Sequence, residues 1–246
     1  MGLNVFLAGA SGVIGRSLVP LLLDAGHTVT GMSRSPEGKA TLEAMGIGAA
    51  VVADVFDAEA VKEAVWTASP DVLIHQLTDL SGNRDAASPE EKSRRNARLR
   101  RQGTANLVAA ATAASVKRIV AQSIGWAYAP KPPPFVETDP LDLEATDLRA
   151  ITVSGIAALE SAILDQAAFE GIILRYGQLY GPGTWSVEPV GAAPLHIEAA
   201  AYAAFLAVDH GRPGAYNIAK PGGALEIEKS LNELGWRPDF RIGRQA

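Results

Sequence analysis

The chain contains no cysteine, and its four histidines are scattered without paired spacing. The lack of cysteine excludes disulfides, thiolate catalysis and cysteine metal sites. Isolated histidines argue against a metal centre, because metal ligands must cluster. No apolar run approaches about 20 residues, the length a helix needs to span a bilayer. The sequence therefore predicts neither a metal site nor a membrane protein.

A surplus of positive charge is also missing. The formal net charge is −5, so no general attraction to nucleic acid or anionic membrane is expected. Hydrophobic residues make up 48% and charged residues 20% of the 246 residues, which is typical of a globular protein. The first strand begins without a preceding basic stretch or cleavage site, which favours a cytoplasmic location. We therefore expect a small-molecule partner.

The amino end combines a strand, a glycine-rich turn and a helix within 25 residues. The apolar run Leu3–Ala8 is the strand, and the segment from Val13 to Leu23 is the helix. Such a turn brings backbone close to a phosphate, and the helix N-terminus points unpaired N–H groups at it. The strand, turn and helix context strengthens the glycine spacing, which alone is a weak signal. Ser11 and Gly12 stand where the pyrophosphate of a dinucleotide would lie. The predicted cofactor-binding residues of this turn are Gly9, Ser11, Gly12, Val13, Ile14 and Gly15.

Strands and helices alternate through the first 175 residues. This rhythm predicts an α/β fold with a doubly wound parallel sheet, a Rossmann fold, and a ligand at the carboxyl ends of its strands. A single long helix is predicted for Pro89–Ala114. The proline-rich segment Pro130–Asp139 cannot be helical and is expected to cross the surface above the cleft. Residues 176–246 are less regular and predict a small substrate lobe. The predicted strands are Leu3–Ala8, Thr28–Ser33, Ala49–Ala53, Asp71–Leu77, Arg118–Ser123 and Ile172–Arg175.

Several motifs in order carry a family resemblance: GASGVIG, an aspartate at position 54, VLIH, GTANLV and LRYGQLYGPGTW. Together they resemble the extended short-chain dehydrogenase/reductases, and most of all the NAD-dependent epimerase/dehydratase family. The resemblance implies that Asp54 binds the adenine amino group with Val55 beside it. It also implies that Leu77 and Thr78 line the adenosine and ribose, and that a homodimer forms through the helices after strands four and five. From the sequence, Asp54 can equally cap the next helix.

The second strand ends in Ser33 and Arg34, without the carboxylate that would accept hydrogen bonds from the ribose of NAD. A serine followed by a guanidinium suits a 2′-phosphate, and Lys39 can add charge. NADP(H) is therefore preferred to NAD(H). The alternative is that Arg34 only starts a solvated loop.

The catalytic residues typical of the resembled family are absent. Its members use a Tyr-x-x-x-Lys pair and a serine or threonine to move the proton while hydride moves. When this chain is aligned with the family's catalytic helix at Leu159 and Glu160, Thr152 occupies the tyrosine position and Ile156 the lysine position. The usual hydroxyl position carries Ile124. The chain is thus an atypical relative with an intact nucleotide turn.

Tyr128 is the best replacement for the missing acid, and Ser123 can bind a substrate oxygen. Equally, Tyr128 can be a packing aromatic, and Ser123 can bond backbone at the strand end. His75 is expected to be a buried, hydrogen-bonded core residue. Aromatic walls favour an apolar or aromatic substrate. The predicted substrate contacts are Trp126, Tyr176, Tyr180, Trp185 and His196.

Five arginines lie in the long helix, where they either steer an anion or, as we favour, form a solvated face. They are Arg94, Arg95, Arg98, Arg100 and Arg101.

The leading function is an NADP(H)-dependent oxidoreductase that acts on a small organic substrate. The alternatives are a non-redox isomerase, cyclase, lyase or epimerase/dehydratase, and an NADP(H)-sensing binding protein.

Overall fold

The computed structural model describes residues 2–79 and 87–243. Seven strands pair in parallel in the order β3-β2-β1-β4-β5-β6-β9, which confirms the predicted doubly wound fold. Two further short strands pair with each other. The strands are β1 (Asn4–Ala8), β2 (Thr28–Ser33), β3 (Ala49–Val52), β4 (Val72–His75), β5 (Arg118–Ile124), β6 (Glu170–Tyr176), β7 (Gln178–Tyr180), β8 (Pro194–His196) and β9 (Gly214–Ile218).

Helices cover both faces of the sheet. They are α1 (Val13–Asp24), α2 (Pro36–Ala44), α3 (Ala58–Ala68), α4 (Pro89–Arg98), α5 (Thr104–Ala113), α6 (Asp147–Leu164), α7 (Ile197–Leu206) and α8 (Glu228–Leu234). Strand side chains alternate between two cores, as the period of two residues in a strand requires. Val5 and Leu7 of β1 belong to the core that includes α1 and α7, whereas Phe6 and Ala8 belong to the one that includes α3, α5 and α6.

Two segments differ from the sequence interpretation. The sequence places GAYNI within the less regular residues 176–246, yet Gly214–Ile218 forms β9 and pairs with β6 inside the sheet. Its glycine and asparagine weaken the strand signal, and only the pairing with β6 reveals it. The single helix predicted over Pro89–Ala114 is interrupted by the π-helical turn Leu99–Gly103, which separates α4 from α5.

The proline-rich segment is docked on the carboxyl-terminal part of the chain. Phe135 N–H donates to the Ala224 carbonyl at 2.8 Å, and Glu226 N–H donates to the Phe135 carbonyl at 2.9 Å. The Glu137 carboxylate accepts from Asn217 N–H of β9 at 2.8 Å. The Glu137 side chain therefore binds the backbone of β9.

Among the helices of residues 2–79 and 87–243, none has the length and apolar character of a membrane span.

Candidate active site

The glycine-rich turn lies where the strand order reverses, between the carboxyl ends of β1 and β4. Gly9 has a φ of +90°, and a Cβ there would lie 2.8 Å from the Gln76 carbonyl group. A Cβ on Gly15 would lie 2.4 Å from the carbonyl oxygens of Gly9 and Ala10. Both positions thus require glycine, the first for the turn and the second for the close packing of α1 on β1.

The N-terminus of α1 is arranged to receive an anion. Gly12 is its N-cap residue, in an extended conformation and without a side-chain capping bond, so the first-turn N–H groups are left to a ligand. Gly12 and Val13 are exposed, Ser11 is half-buried, and Ile14 is buried beneath them. An open backbone cradle of this kind fits a dinucleotide pyrophosphate.

A cationic side chain stands at the end of β2. Ser33 is buried, whereas the next residue, Arg34, is exposed and has no hydrogen-bond or ion-pair partner among residues 2–79 and 87–243. Lys39 lies 3.7 Å from Glu43, an exposed pair one helical turn away. Arg34 is therefore the available cation at this position.

The alternative role for Asp54 as a helix cap is taken by Asp57, whose Oδ1 accepts from Ala60 N–H at 3.0 Å. Asp54 is exposed, and within the described residues its Oδ1 accepts from Phe56 N–H alone, at 3.0 Å. Val55 is buried beside it. The half-buried residues that follow β4, Leu77 and Thr78, complete the predicted adenosine wall.

The positions that the family resemblance assigns to proton transfer are apolar. Ile156 is fully buried in a cluster with Val153 and Ala127, and Ile124 packs against that cluster. Thr152, at the tyrosine position, is half-buried, and its hydroxyl has no hydrogen-bond partner in the described part of the chain. No amine or phenol stands at these positions.

The two replacement candidates belong to one buried polar network. Ser123 Oγ donates to Glu160 Oε1 at 2.6 Å, and Arg175 donates to both oxygens of the same carboxylate, at 2.6 and 3.0 Å. The Tyr128 hydroxyl donates to Asn217 Oδ1 at 2.6 Å and accepts from Arg175 at 2.9 Å. Burial raises the pKa of Tyr128 to about 12, although Arg175 opposes this shift. The catalytic roles of Tyr128 and Ser123 stay predictions.

A cavity of about 300 Å³ lies beyond the carboxyl ends of β5 and β6. Trp126 lines it, and Phe135 stacks on the Tyr128 ring with centroids 5.3 Å apart. Arg149 holds this wall by donating to the carbonyls of Trp126 and Tyr128, and Gln178 forms another part of the lining. Sequence reasoning missed Phe135, Arg149 and Gln178, since nothing local marks them as neighbours.

The other predicted substrate contacts lie outside this cavity. Tyr176 is buried in the core, where its hydroxyl accepts from Gln76 Nε2 and donates to the Ala200 carbonyl, both at 3.3 Å. His196 caps α7 through Nδ1, meets the Tyr180 ring edge-on, and has its pKa lowered by burial and by a nearby arginine. Trp185 is 75% exposed.

Comparisons with known sequences identify the family. The model of the NAD dependent epimerase/dehydratase family matches residues 5–211. A 3-diazoavenalumate denitrifying reductase from a Streptomyces species is 43% identical over 221 residues, covering 84% of this chain and 69% of that protein. A 3-beta-hydroxysteroid dehydrogenase from Mycolicibacterium neoaurum is 36% identical over 119 residues, or 48% of this chain and 31% of that protein.

Solved structures with the same fold include UDP-glucose 4-epimerase from Thermotoga maritima, with a TM-score of 0.76 at 17% identity. The match covers 97% of this chain and 94% of the epimerase. At 17% identity, the structural match supports the fold alone. The family model shows the family, and the similarity to the Streptomyces reductase supports an oxidoreductase. The chain therefore belongs to the NAD dependent epimerase/dehydratase family and is an NAD(P)-dependent oxidoreductase.

Proposed function

We propose that this chain is an NADP(H)-dependent reductase of small aromatic electrophiles whose reduction needs no proton from the enzyme. The observation that carries the proposal is that apolar residues, Ile156 and Ile124, occupy the positions of the family's lysine and hydroxyl, while the backbone turn at the N-terminus of α1 is kept. When bound, a reduced nicotinamide supplies a hydride. The chain's own part is to hold the dinucleotide at the turn and to position an aromatic ring.

The lost tyrosine and lysine restrict the class of substrate. Reduction of a carbonyl leaves negative charge on oxygen, which a positioned acid must neutralise. Thr152 carries an aliphatic hydroxyl, a far poorer acid than a phenol. An arenediazonium ion that accepts a hydride becomes an arene and neutral dinitrogen, so atoms and charge balance without a proton. The similarity to the Streptomyces relative, which is named as a denitrifying reductase of a diazo compound, supports this class.

The cavity also suits an aromatic substrate. Its volume of about 300 Å³ is at the small end of ligand pockets. The rings of Trp126, Tyr128 and Phe135 contribute to its wall. Arg149 is already bound to the Asp142 carboxylate and to two carbonyls, so among the described residues that line the cavity no cation is left free. This part of the site favours the flat aromatic ring of a substrate, and a charged group of the substrate would have to be bound outside it.

The proposal is tested with a matched pair of substrates, 4-carboxybenzenediazonium and 4-carboxybenzaldehyde, each with NADPH and with an enzyme-free control. We expect enzyme-dependent NADPH consumption and benzoate formation from the diazonium ion, at a rate at least about 100-fold above that of the aldehyde, which lacks its acid catalyst. The measurements are nicotinamide absorbance and product chromatography.

Two results would overturn this proposal. The first is efficient reduction of the aldehyde that disappears in Tyr128→Phe, which would make Tyr128 the proton donor predicted from the sequence. The second is no NADPH consumption with either compound, which would favour the non-redox or nucleotide-sensing alternatives.

Preference for NADP(H) over NAD(H) is proposed to come from Arg34. Replacing Arg34 by alanine is expected to weaken NADPH binding about 10- to 100-fold, because charge-assisted hydrogen bonds to the 2′-phosphate are lost. NADH binding should stay nearly unchanged. Calorimetric titration of both coenzymes measures the effect. Lys39→Ala is the control, since Lys39 is paired with Glu43 and should contribute less. Equal weakening for both coenzymes would contradict the assignment.

A further inference from the structure

One arginine of the long helix departs from the solvated face that the sequence favours. Arg94 pairs with Glu90 at 2.6 Å, and Arg101 donates to Ser154 Oγ at 2.6 Å, both at exposed positions. Arg100 is only 9% exposed. It lies in the π-helical turn Leu99–Gly103, and such turns frequently occur at functional sites.

The guanidinium of Arg100 has no hydrogen-bond or ion-pair partner among the residues that the structure describes. Burial lowers its pKa to about 10. The other arginine buried to this degree, Arg175, is bound to the Glu160 carboxylate and the Tyr128 hydroxyl. A buried cation without a counter-charge is costly, so an anion that reaches this guanidinium would be bound favourably. The Arg100 nitrogens are not among the fully buried unpartnered atoms of the described residues, so they keep a solvent-accessible edge at which a ligand can bind.

The aliphatic part of the Arg100 side chain packs on α6 near Thr152 and Ile156, the positions at which the family has its tyrosine and lysine. A Cβ on Gly155 would lie 2.9 Å from Ala97 Cα and 3.5 Å from Arg100 Cδ, so the glycine permits this packing. Gly155 is adjacent to Ile156 and about one helical turn after Thr152. The half-buried Thr152 hydroxyl, also without a partner in the described ranges, adds a hydrogen-bonding group on the same stretch of α6.

Helix geometry directs Arg100 toward the cleft. Side chains on a helix lean toward its N-terminus. The helix that carries Arg100 follows β4, so its N-terminal end lies at the carboxyl edge of the sheet. The pKa of His75, at the end of β4, is lowered to about 4 by burial and, to a smaller extent, by the positive charge of Arg100. Its Nδ1 accepts from Leu77 N–H, and its Nε2 bonds to Thr104 Oγ1, so the neutral ring supplies no counter-charge.

The position relative to the glycine turn identifies the anion. In the proposed site, the dinucleotide phosphates lie at the α1 N-terminus and at Arg34, on the β1 and β2 side of the switch point. Arg100 lies on the opposite side, near His75 of β4 and Gly155 of α6. This is the side of β1 on which the cavity beyond β5 and β6 also lies. A planar guanidinium matches a carboxylate with two parallel hydrogen bonds.

We propose that Arg100 binds the carboxylate of an aromatic carboxylic acid, with Thr152 as an additional donor. The inference rests on the proposed function for its aromatic substrate. It adds that the substrate is an anion recognised from the α4–α6 side, and that the acid group is held away from the glycine turn.

The test uses calorimetric binding of benzoate and benzamide to the NADP⁺-saturated full chain. We expect benzoate to bind at least about 10-fold more tightly than benzamide, as charge-assisted hydrogen bonds predict. Arg100→Met, which keeps the apolar stem volume, should abolish this preference. Arg101→Met, the neighbouring exposed arginine, should retain it. The ligand-free Arg100→Met protein should unfold at the same or a higher temperature than the wild type, because an unpaired buried charge is removed.

Equal binding of benzoate and benzamide, or no binding of benzoate, would overturn the assignment. So would an Arg100→Met protein that keeps the preference for benzoate, or one that unfolds well below the wild type, which would make Arg100 a structural residue. These readouts need no turnover. A failed diazonium assay with intact benzoate selectivity would therefore reject the proposed reaction and keep the carboxylate site.

Discussion

Replacing Glu160 by alanine is expected to lower the free energy of unfolding by about 3–5 kcal/mol, because it leaves Arg175 buried without its counter-charge. The two side chains are 6% and 7% exposed, and their closest atoms lie 2.6 Å apart. Ser123 also loses its acceptor. Chemical denaturation followed by circular dichroism measures the change.

An exposed pair provides the matched control for this substitution. Glu90→Ala removes the partner of Arg94 in an exposed pair, and should cost about 0–1 kcal/mol. In the Glu160→Ala background, adding Arg175→Met should recover much of the lost stability, since an apolar side chain replaces the orphaned cation. A loss below about 1 kcal/mol in Glu160→Ala would mean that the network does not hold β5, β6 and α6 together.

Replacing Gly15 by alanine is expected to destabilise the fold by about 1–3 kcal/mol and to abolish measurable NADPH binding at micromolar concentrations. The new methyl group would lie 2.4 Å from two carbonyl oxygens of the turn, so α1 must shift away from β1. The shift displaces the N–H groups that are proposed to bind the pyrophosphate. Thermal unfolding and calorimetric titration measure the two effects separately.

Gly48 supplies the control for the second substitution. A Cβ there would meet its nearest neighbour at 3.5 Å, an ordinary contact, so Gly48→Ala should change neither stability nor coenzyme binding appreciably. Unchanged NADPH affinity in Gly15→Ala would contradict the placement of the dinucleotide at this turn. Loss of affinity in both variants would point to an indirect effect.

The glycine turn shows why part of the site was accessible from the sequence. Its requirement for glycine arises within seven consecutive residues, and the flanking strand and helix are local patterns as well. The absence of a carboxylate after β2 is equally local. The missing tyrosine and lysine could be read from a single helix once its family register was recognised, because Thr152 and Ile156 occupy one turn of α6.

Tyr128 illustrates the opposite case. Its position after a central strand suggested a catalytic phenol, but its partners come from distant segments. Arg175 belongs to β6, and Asn217 belongs to β9. Neither contact leaves a signature near Tyr128 in the sequence. The choice between a reacting and a packed phenol therefore depends on long-range packing.

The sequence alone determined the alternating α/β architecture, the dinucleotide turn and the loss of the usual proton-transfer pair, since each is encoded by residues close together in the chain. Only the tertiary structure decided that GAYNI is the seventh strand of the sheet and that Arg100 is buried. β9 depends on pairing with β6, about 40 residues earlier. The π-helical turn changes the helical register, so Arg100 leaves the solvated face and meets α6 at Gly155.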